Sequence, residues 1–541
     1  MLSRKHVGVV LALLVVVIAW LVVAGKRPSV VPGLRADIDL APFHDAERDA
    51  RPVTLAVRPG AAAPLRKPNF VVILADDLGY GDLESYGTKA IRTPNLDSLA
   101  RAGVRFTQFY ASANVCSPSR AGLLTGRYPV RTGVSYIIFA SGLSFRHSVD
   151  LALARFGTRL GASKYHDSYV SGLPDSEITL PEALKVAGYA TGMVGKWHLG
   201  DFSADPKFLP TRHGFDFFEG IPHSNDEFPV SYWRNDQMLV PDVGLRQERL
   251  SADLTRAAVG FIEANRDRPF FLYVAPKDVH LPFFPSADFK GRSAAGPYGD
   301  AVEELDWGVG EILRALDEHG LGDDTLVLFT SDNGAWYDGS TDGLRGRKGM
   351  PFEGGQRVPM IARWPGRLAA GSEVAAPTMN IDVFPTLLRL AGLVGPSDRV
   401  IDGRDLWGVM SGVNPQSPHE ALLFFDDRVI DGVRMGPWKY YRYVDRYYWP
   451  TPLDSPGSLV GDRVAGYTHT DPETRQTIKL ISSFPALYDL RIDPGESYNV
   501  ADRNPGVGEK ALRAIEEWEN DFFANPRGWK PGPFAELKEG Q

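Results

Sequence analysis

The only cysteine of the chain lies in Cys116-Ser117-Pro118-Ser119-Arg120. A lone thiol closes no internal disulfide, so a cross-link does not explain it. Pro118 suits the first position of a helix, where its fixed φ fits and its missing N–H has no partner to lose. The run to Leu124 can continue that helix. Cys116 is then expected just before a helix N-terminus, where the dipole and free N–H groups favour a developing negative charge. Arg120, one turn further on, can face back toward it. The plainer alternative is a buried, inert cysteine.

Four predicted strands end in polar chemistry: Asp76-Asp77, Lys196-Trp197-His198, Asp278-Val279-His280 and Asp332-Asn333. Taken singly, each pattern fits a turn, a cap or a satisfied core residue. Taken together they lie at the carboxyl ends of strands, where open α/β sheets bind ligands. Asp76, Asp77, Asp332 and Asn333 offer only oxygen, a donor set for Ca²⁺ or Mg²⁺ rather than Zn²⁺. Arg120, Lys196, His198, His280 and Lys348 carry charge or protons. A hard cation inside such a ring suits a tetrahedral oxyanion, and sulfate and phosphate esters are the two candidates.

The elements that must position these groups can be read from periodicity. Residues 71–75 form a continuous apolar run, the pattern of a strand buried on both faces. Further strands are expected at 190–194, 270–275 and 325–330. Helices are expected at 94–100 behind Thr93, at 300–319 and at 381–391. The 300–319 helix places Val302, Leu305, Val309, Ile312 and Leu316 on one face, and Gly392 stops the 381–391 helix. Thr179-Leu180-Pro181-Glu182 is a capping box that opens another helix, ending near Gly188. This alternation predicts an α/β fold with a large mixed, mostly parallel sheet sandwiched by helices. After residue 420, aromatic and alternating segments predict short antiparallel strands, and a last helix is expected over 505–523. The division expected is a signal anchor at 1–28, a linker at 29–66, a main domain at 67–420 and a smaller α+β subdomain with a short antiparallel sheet at 421–541.

The chain has 541 residues, 43% hydrophobic and 23% charged, with a net charge of −8 and a pI near 5.8. No nucleic-acid partner is expected on this balance, because phosphate binding needs a basic footprint, although local basic clusters can still bind a small anion. Residues 7–25 are uninterruptedly apolar, between Arg4-Lys5 and Lys26-Arg27. About 19 residues can cross a hydrocarbon core, and the run exceeds an ordinary signal-peptide core. An uncleaved anchor with an exported domain is expected, or a secreted protein if the segment is cleaved. The sequence has no Asn-x-Ser/Thr acceptor, which fits a bacterial periplasmic setting.

The stretch Cys116-Ser117-Pro118-Ser119-Arg120-Ala121-Gly122-Leu123-Leu124-Thr125-Gly126-Arg127 resembles the signature of the type I sulfatases, and Gly195-Lys196-Trp197-His198-Leu199-Gly200 resembles their second motif. The likeness covers roughly residues 68–410. It is nearest the arylsulfatase A and N-acetylgalactosamine-6-sulfatase branch, to which Gly220-Ile221-Pro222-His223-Ser224 contributes. The resemblance implies the alkaline phosphatase superfamily fold and oxidation of Cys116 to formylglycine by a formylglycine-generating enzyme. In such enzymes one hydroxyl of the aldehyde hydrate attacks sulfur and displaces the alcohol. The other hydroxyl then loses its proton, the aldehyde re-forms, and sulfate leaves by C–O cleavage. By the same resemblance Asp76, Asp77, Asp332 and Asn333, with the Cys116-derived oxygen, bind one Ca²⁺, or Mg²⁺. Arg120 and Lys196 hold the hydrate, and His198 takes the elimination proton. His280 and Lys348 contact the sulfate group, with His280 protonating the leaving oxygen and Ser224 supporting. A substrate of small-molecule, glycan or lipid type follows.

A phosphonate monoester or phosphodiester hydrolase of the same superfamily is the main rival, since some share the Cys-x-Pro-x-Arg pattern. A non-catalytic, membrane-anchored anion-binding protein is the second, and it requires Cys116 to stay a thiol. Residues 136–175 read as an insertion, with Val149, Leu153, Phe156 and Leu160 at helical spacing. They are expected to form either a packed surface helix or a lid for a bulky sulfate ester. The aromatic stretch 440–449 fits core packing better than the mouth of the same pocket.

Overall fold

The central strands form where the sequence is apolar on every residue, because both faces of the sheet are covered. In the computed structural model β1 (Asn69–Ala75) sends Phe70, Val72 and Leu74 into one core and Val71, Ile73 and Ala75 into the other. The structure describes residue 55 and residues 67–140, 170–444, 468–470, 477–479 and 484–530. Most of the 136–175 insertion, residues 445–449 of the aromatic stretch and the whole expected anchor at 1–28 lie outside the described residues. Among the described residues no helix is long and apolar enough to cross a membrane.

The other elements of the large sheet are β2 (Val104–Tyr110), β3 (Ala190–Lys196), β4 (Phe217–Ile221), β5 (Tyr232–Arg234), β6 (Gln237–Val240), β7 (Phe270–Ala275), β8 (Thr325–Ser331), β9 (Arg357–Arg363), β10 (Ser372–Val374) and β11 (Thr378–Met379). Their order is β10-β2-β9-β8-β1-β7-β3-β4-β5-β6, with β11 beside β2. The centre, from β8 through β1, β7 and β3 to β4, is parallel. Strand β9 enters antiparallel between β8 and β2.

Helices α1 (Pro94–Arg101), α4 (Leu250–Asn265) and α5 (Gly296–Glu318) pack on one face, through Leu99, Leu254, Ile262, Val302 and Val309. Helices α2 (Cys116–Thr125), α3 (Leu180–Val186) and α6 (Val383–Leu390) cover the other, through Leu123, Leu184, Phe384 and Leu388. The predicted α/β sandwich is therefore observed. The capping box is present at Thr179, whose hydroxyl accepts the Glu182 N–H while the Glu182 carboxylate accepts the Thr179 N–H.

Among the boundaries that differ from expectation, three stand out. Strand β3 runs on to Lys196, because Gly195 and Lys196 pair with Gly220 and Ile221 of β4. Helix α5 opens at Gly296 with Pro297 in its first turn. Helix α2 opens at Cys116 rather than at Pro118. Its first backbone bond runs from Ser119 N–H to the Val115 carbonyl, so Pro118 still occupies a position whose N–H has no helical acceptor. A separate antiparallel sheet, β12 (Leu422–Asp426), β13 (Val429–Met435), β14 (Trp438–Tyr441) and β17 (Ala486–Asp489), forms in the C-terminal region. Strands β15 (Thr468–Thr470) and β16 (Thr477–Lys479) pair with each other, and helix α7 (Pro505–Ala524) follows.

Candidate active site

The carboxyl ends of β1, β8, β7 and β3 meet in front of the N-terminus of α2. Backbone bonds past the strand ends hold them there. The Asp332 N–H donates to the Ala75 carbonyl at 3.0 Å, and Asp76 exchanges two bonds with the residues after β7, at 3.0 and 2.7 Å. Beyond β3, His198 N–H donates to the Pro222 carbonyl at 2.9 Å, and Gly349 N–H donates to the Asn114 carbonyl at 2.8 Å. Asp77 and His198 have φ of 62° and 58°. Such left-handed conformations cost non-glycine residues energy and concentrate at functional sites.

Gly195 shows why β3 can deliver Lys196. Its φ is 114°, and a Cβ there would lie 1.9 Å from the Ala275 carbonyl oxygen. Only glycine lets the two backbones approach this closely. Lys196 then reaches Asp76 Oδ2 at 2.6 Å and Ser224 Oγ at 3.2 Å, with no exposed surface.

Cys116 Sγ lies 3.4 Å from Asp76 Oδ1 and 4.0 Å from Asp77 Oδ1. Arg120 donates Nε and NH2 to Asp332 Oδ2 at 2.9 and 2.7 Å, and NH1 to the Lys196 carbonyl at 2.7 Å. Lys348 donates to Asp77 at 2.8 Å. Asn333 Nδ2 donates to Asp77 Oδ1 at 2.7 Å, while its buried Oδ1 has no hydrogen-bond partner among the described residues. His280 Nδ1 lies 2.5 Å from the Leu281 carbonyl, 3.3 Å from Ser224 Oγ, and Nε2 is 3.7 Å from Asp77 Oδ2. These candidates are thus gathered around one point.

Two sequence candidates behave differently. His198 makes no hydrogen bond to Cys116; its Nε2 faces Glu227 Oε1 at 3.3 Å. Asp278 turns away, accepting from Ser251 and Lys277 at 2.6 Å each. The sequence reading missed Glu227 and gave His223 no role, although both are buried beside His198. The signal was available: β4 is a fifth strand ending in polar residues, from His223 to Glu227. It escaped because Glu219-Gly220 interrupts its apolar run.

Burial alone would raise the Asp76 carboxyl, but Lys196, His280, Arg120 and Lys348 together hold it well below its ordinary value. Burial and the neighbouring Asp76 charge push Asp332 up to about 6. Burial also pushes the Cys116 thiol well up, against the pull of Lys196 and Lys348. Cys116 is therefore a poor thiolate nucleophile where it stands. Burial and Lys196 depress His198 well below its usual range, so it stands neutral. The ligand atoms of Asp76, Asp77, Cys116 and Asp332 lie within 4.8 Å of one another. The three carboxylates and the Asn333 oxygen form an oxygen set that fits a hard divalent cation.

The family model described as Sulfatase matches residues 68–393. Mouse steryl-sulfatase is 37% identical, over 82% of this chain and 80% of its own length. Human arylsulfatase A is 37% identical, over 86% of this chain and 90% of its own. Dog N-acetylgalactosamine-6-sulfatase is 37% identical, over 81% and 83%. Among solved structures, the PsFucS1 sulfatase from Pseudoalteromonas sp. superposes with a TM-score of 0.69 at 26% identity, covering 86% of this chain and 92% of that one. Sequence match, sheet topology and the residues gathered at Cys116 agree: the chain belongs to the sulfatase family and is a hydrolase of sulfate esters.

Proposed function

We propose that the enzyme is an arylsulfatase-like hydrolase whose nucleophile derives from formylglycine made at Cys116 by a formylglycine-generating enzyme. One Ca²⁺, replaceable by Mg²⁺, would be held by Asp76, Asp77, Asp332 and Asn333. The observation that carries this reading is the thiol of Cys116 at 3.4 Å from a buried carboxylate, inside an oxygen set with an unpartnered Asn333 Oδ1. When bound, the cation and the aldehyde hydrate supply charge stabilisation and an attacking hydroxyl.

The chain's own residues do the rest. Arg120, Lys196 and Lys348 are each fixed by a carboxylate, so their charge is preorganised where a sulfate group must sit. The Leu281 carbonyl can only accept, so His280 carries a proton on Nδ1 and presents Nε2 toward the site. Only with a second proton, on Nε2, can it protonate a departing alkoxide; burial and Lys348 oppose that charged form, and Asp77 facing Nε2 favours it. Neutral His198 is the base for the elimination proton. Residues 7–25 support export with a membrane anchor, in a bacterial periplasm. The substrate is a sulfate monoester of a small molecule, glycan or lipid, and aryl sulfates are the first probe.

The test pairs two measurements. Peptide mass spectrometry across residues 115–120 should find the aldehyde in protein made beside a converting enzyme. Steady-state rates on a matched aryl sulfate and aryl phosphodiester should favour the sulfate, and Cys116→Ala should lose both. A persistent thiol in active protein, or a large preference for the diester, would overturn the reading.

A further inference from the structure

Beside the oxygen-rich centre lies a second, chemically different cluster. His198, His223 and Glu227 place ligand atoms within 4.8 Å of one another, and all three are buried, at 2%, 4% and 5% exposure. The two imidazoles stand edge to face, with ring centres 6.2 Å apart. Among the described residues none of their four ring nitrogens makes a hydrogen bond, although each Nε2 faces a carboxylate, Glu227 and Asp201 respectively. Two buried aromatic bases with no hydrogen bond are costly unless something occupies the space between them.

The spacing and the surroundings both suit an ion. A tetrahedral ion with bonds near 2.0 Å separates its ligand atoms by roughly 3.3 Å, and His198 Nε2 stands 3.3 Å from Glu227 Oε1. The Asp201 carboxylate lies 3.1 Å from His223 Nε2. Metal-bound imidazoles ordinarily carry a carboxylate on their other nitrogen in this way. Glu227 is itself held, because its second oxygen accepts the Ala140 N–H at 2.7 Å. Two nitrogens and one carboxylate form a borderline donor set, which selects Zn²⁺-type ions over Ca²⁺ or Mg²⁺.

We propose that His198, His223 and Glu227 form a second cation site that takes Zn²⁺ or a similar borderline divalent ion. Occupancy withdraws the lone pair of His198 and reversibly inhibits hydrolysis. The inhibition rests on the role given to His198 above; the binding does not.

The experiment titrates full-length protein with Co²⁺ in excess Mg²⁺, which keeps the oxygen site filled. One equivalent should bind with the intense visible bands of a tetrahedral site, and Zn²⁺ should displace it. His223→Gln and Glu227→Gln should each weaken binding at least about tenfold, the usual loss on removing a metal ligand's support or more. Absence of tetrahedral bands overturns the site. So do bands that survive in both variants, or a near-ultraviolet sulfur-to-cobalt band, which would place the ion at Cys116. Zinc inhibition of aryl sulfate turnover, relieved by His223→Gln, supports the regulatory consequence. Binding without inhibition supports the site and instead counts against His198 as the base.

Discussion

Arg120 has no exposed surface and makes three directional bonds, two to Asp332 and one to the Lys196 carbonyl. A lysine keeps the charge but cannot present this fork. Arg120→Lys should therefore lower kcat/KM about 10²-fold, the loss expected for one preorganised donor. It should also lower Tm, because Asp332 loses its bidentate partner in a buried site. Normal turnover in this variant would remove Arg120 from the machinery. The placement of His280, with Nδ1 held by the Leu281 carbonyl and Nε2 toward the site, leads to a sharper expectation. A proton donor matters most when the leaving alcohol is a poor one. His280→Ala should cost alkyl sulfates roughly 10² to 10⁴-fold and nitrophenyl sulfate much less. A uniform loss across leaving groups would assign His280 to sulfate binding alone.

At the scale of elements, β3 is the strand on which positioning depends most visibly. Gly195→Ala would drive a Cβ into the Ala275 carbonyl at a φ of 114°. The β3–β7 pairing must then open or Lys196 must move. The expected result is a marked fall in Tm with loss of activity, read by thermal unfolding and aryl sulfate turnover. Retention of both would mean the strands can part cheaply. The same strand shows what the sequence could and could not reveal. Runs such as Val71-Val72-Ile73 and Leu326-Val327-Leu328 announce buried strands because every residue is apolar. The polar pairs that follow them announce a site. Spatial order is not in such runs, since β1 pairs with β7 and β8, about 200 and 255 residues away. Nothing local marks β9 as antiparallel. The signal for Glu227 was faint, because Glu219-Gly220 breaks the apolar run of β4 and a carboxylate beyond it reads as a solvated loop until His198 is placed against it.

For the whole molecule, the question is what fastens the C-terminal sheet to the large one. Glu353, which precedes β9, is fully buried and binds Lys439 of β14 at 2.7 Å and the Tyr110 hydroxyl of β2 at 2.8 Å. Arg434 of β13 reaches Tyr110 and Gln108, and Glu496 accepts both the Glu353 N–H and the Tyr441 hydroxyl. Burial would raise the Glu353 carboxyl, but Lys439, Arg434 and Arg357 bring it down to about 2 from 4.5. A depressed folded-state value means that the unfolded chain binds the proton more readily. The clamp is therefore at full strength above about pH 4.5 and weakens as pH falls toward 2. Lys439→Met removes the nearest cation while leaving its carboxylate buried, which should cost roughly 3 kcal/mol at pH 7. With that cation gone the Glu353 value rises, so the variant regains ground by protonation as pH drops through the carboxyl range. The stability gap between wild type and variant should thus be wide at pH 7 and narrower at pH 4.5, measured by urea unfolding at each pH. An equal gap at both would show that the variant's defect is lost packing around Phe424 and Tyr441 rather than an uncompensated charge.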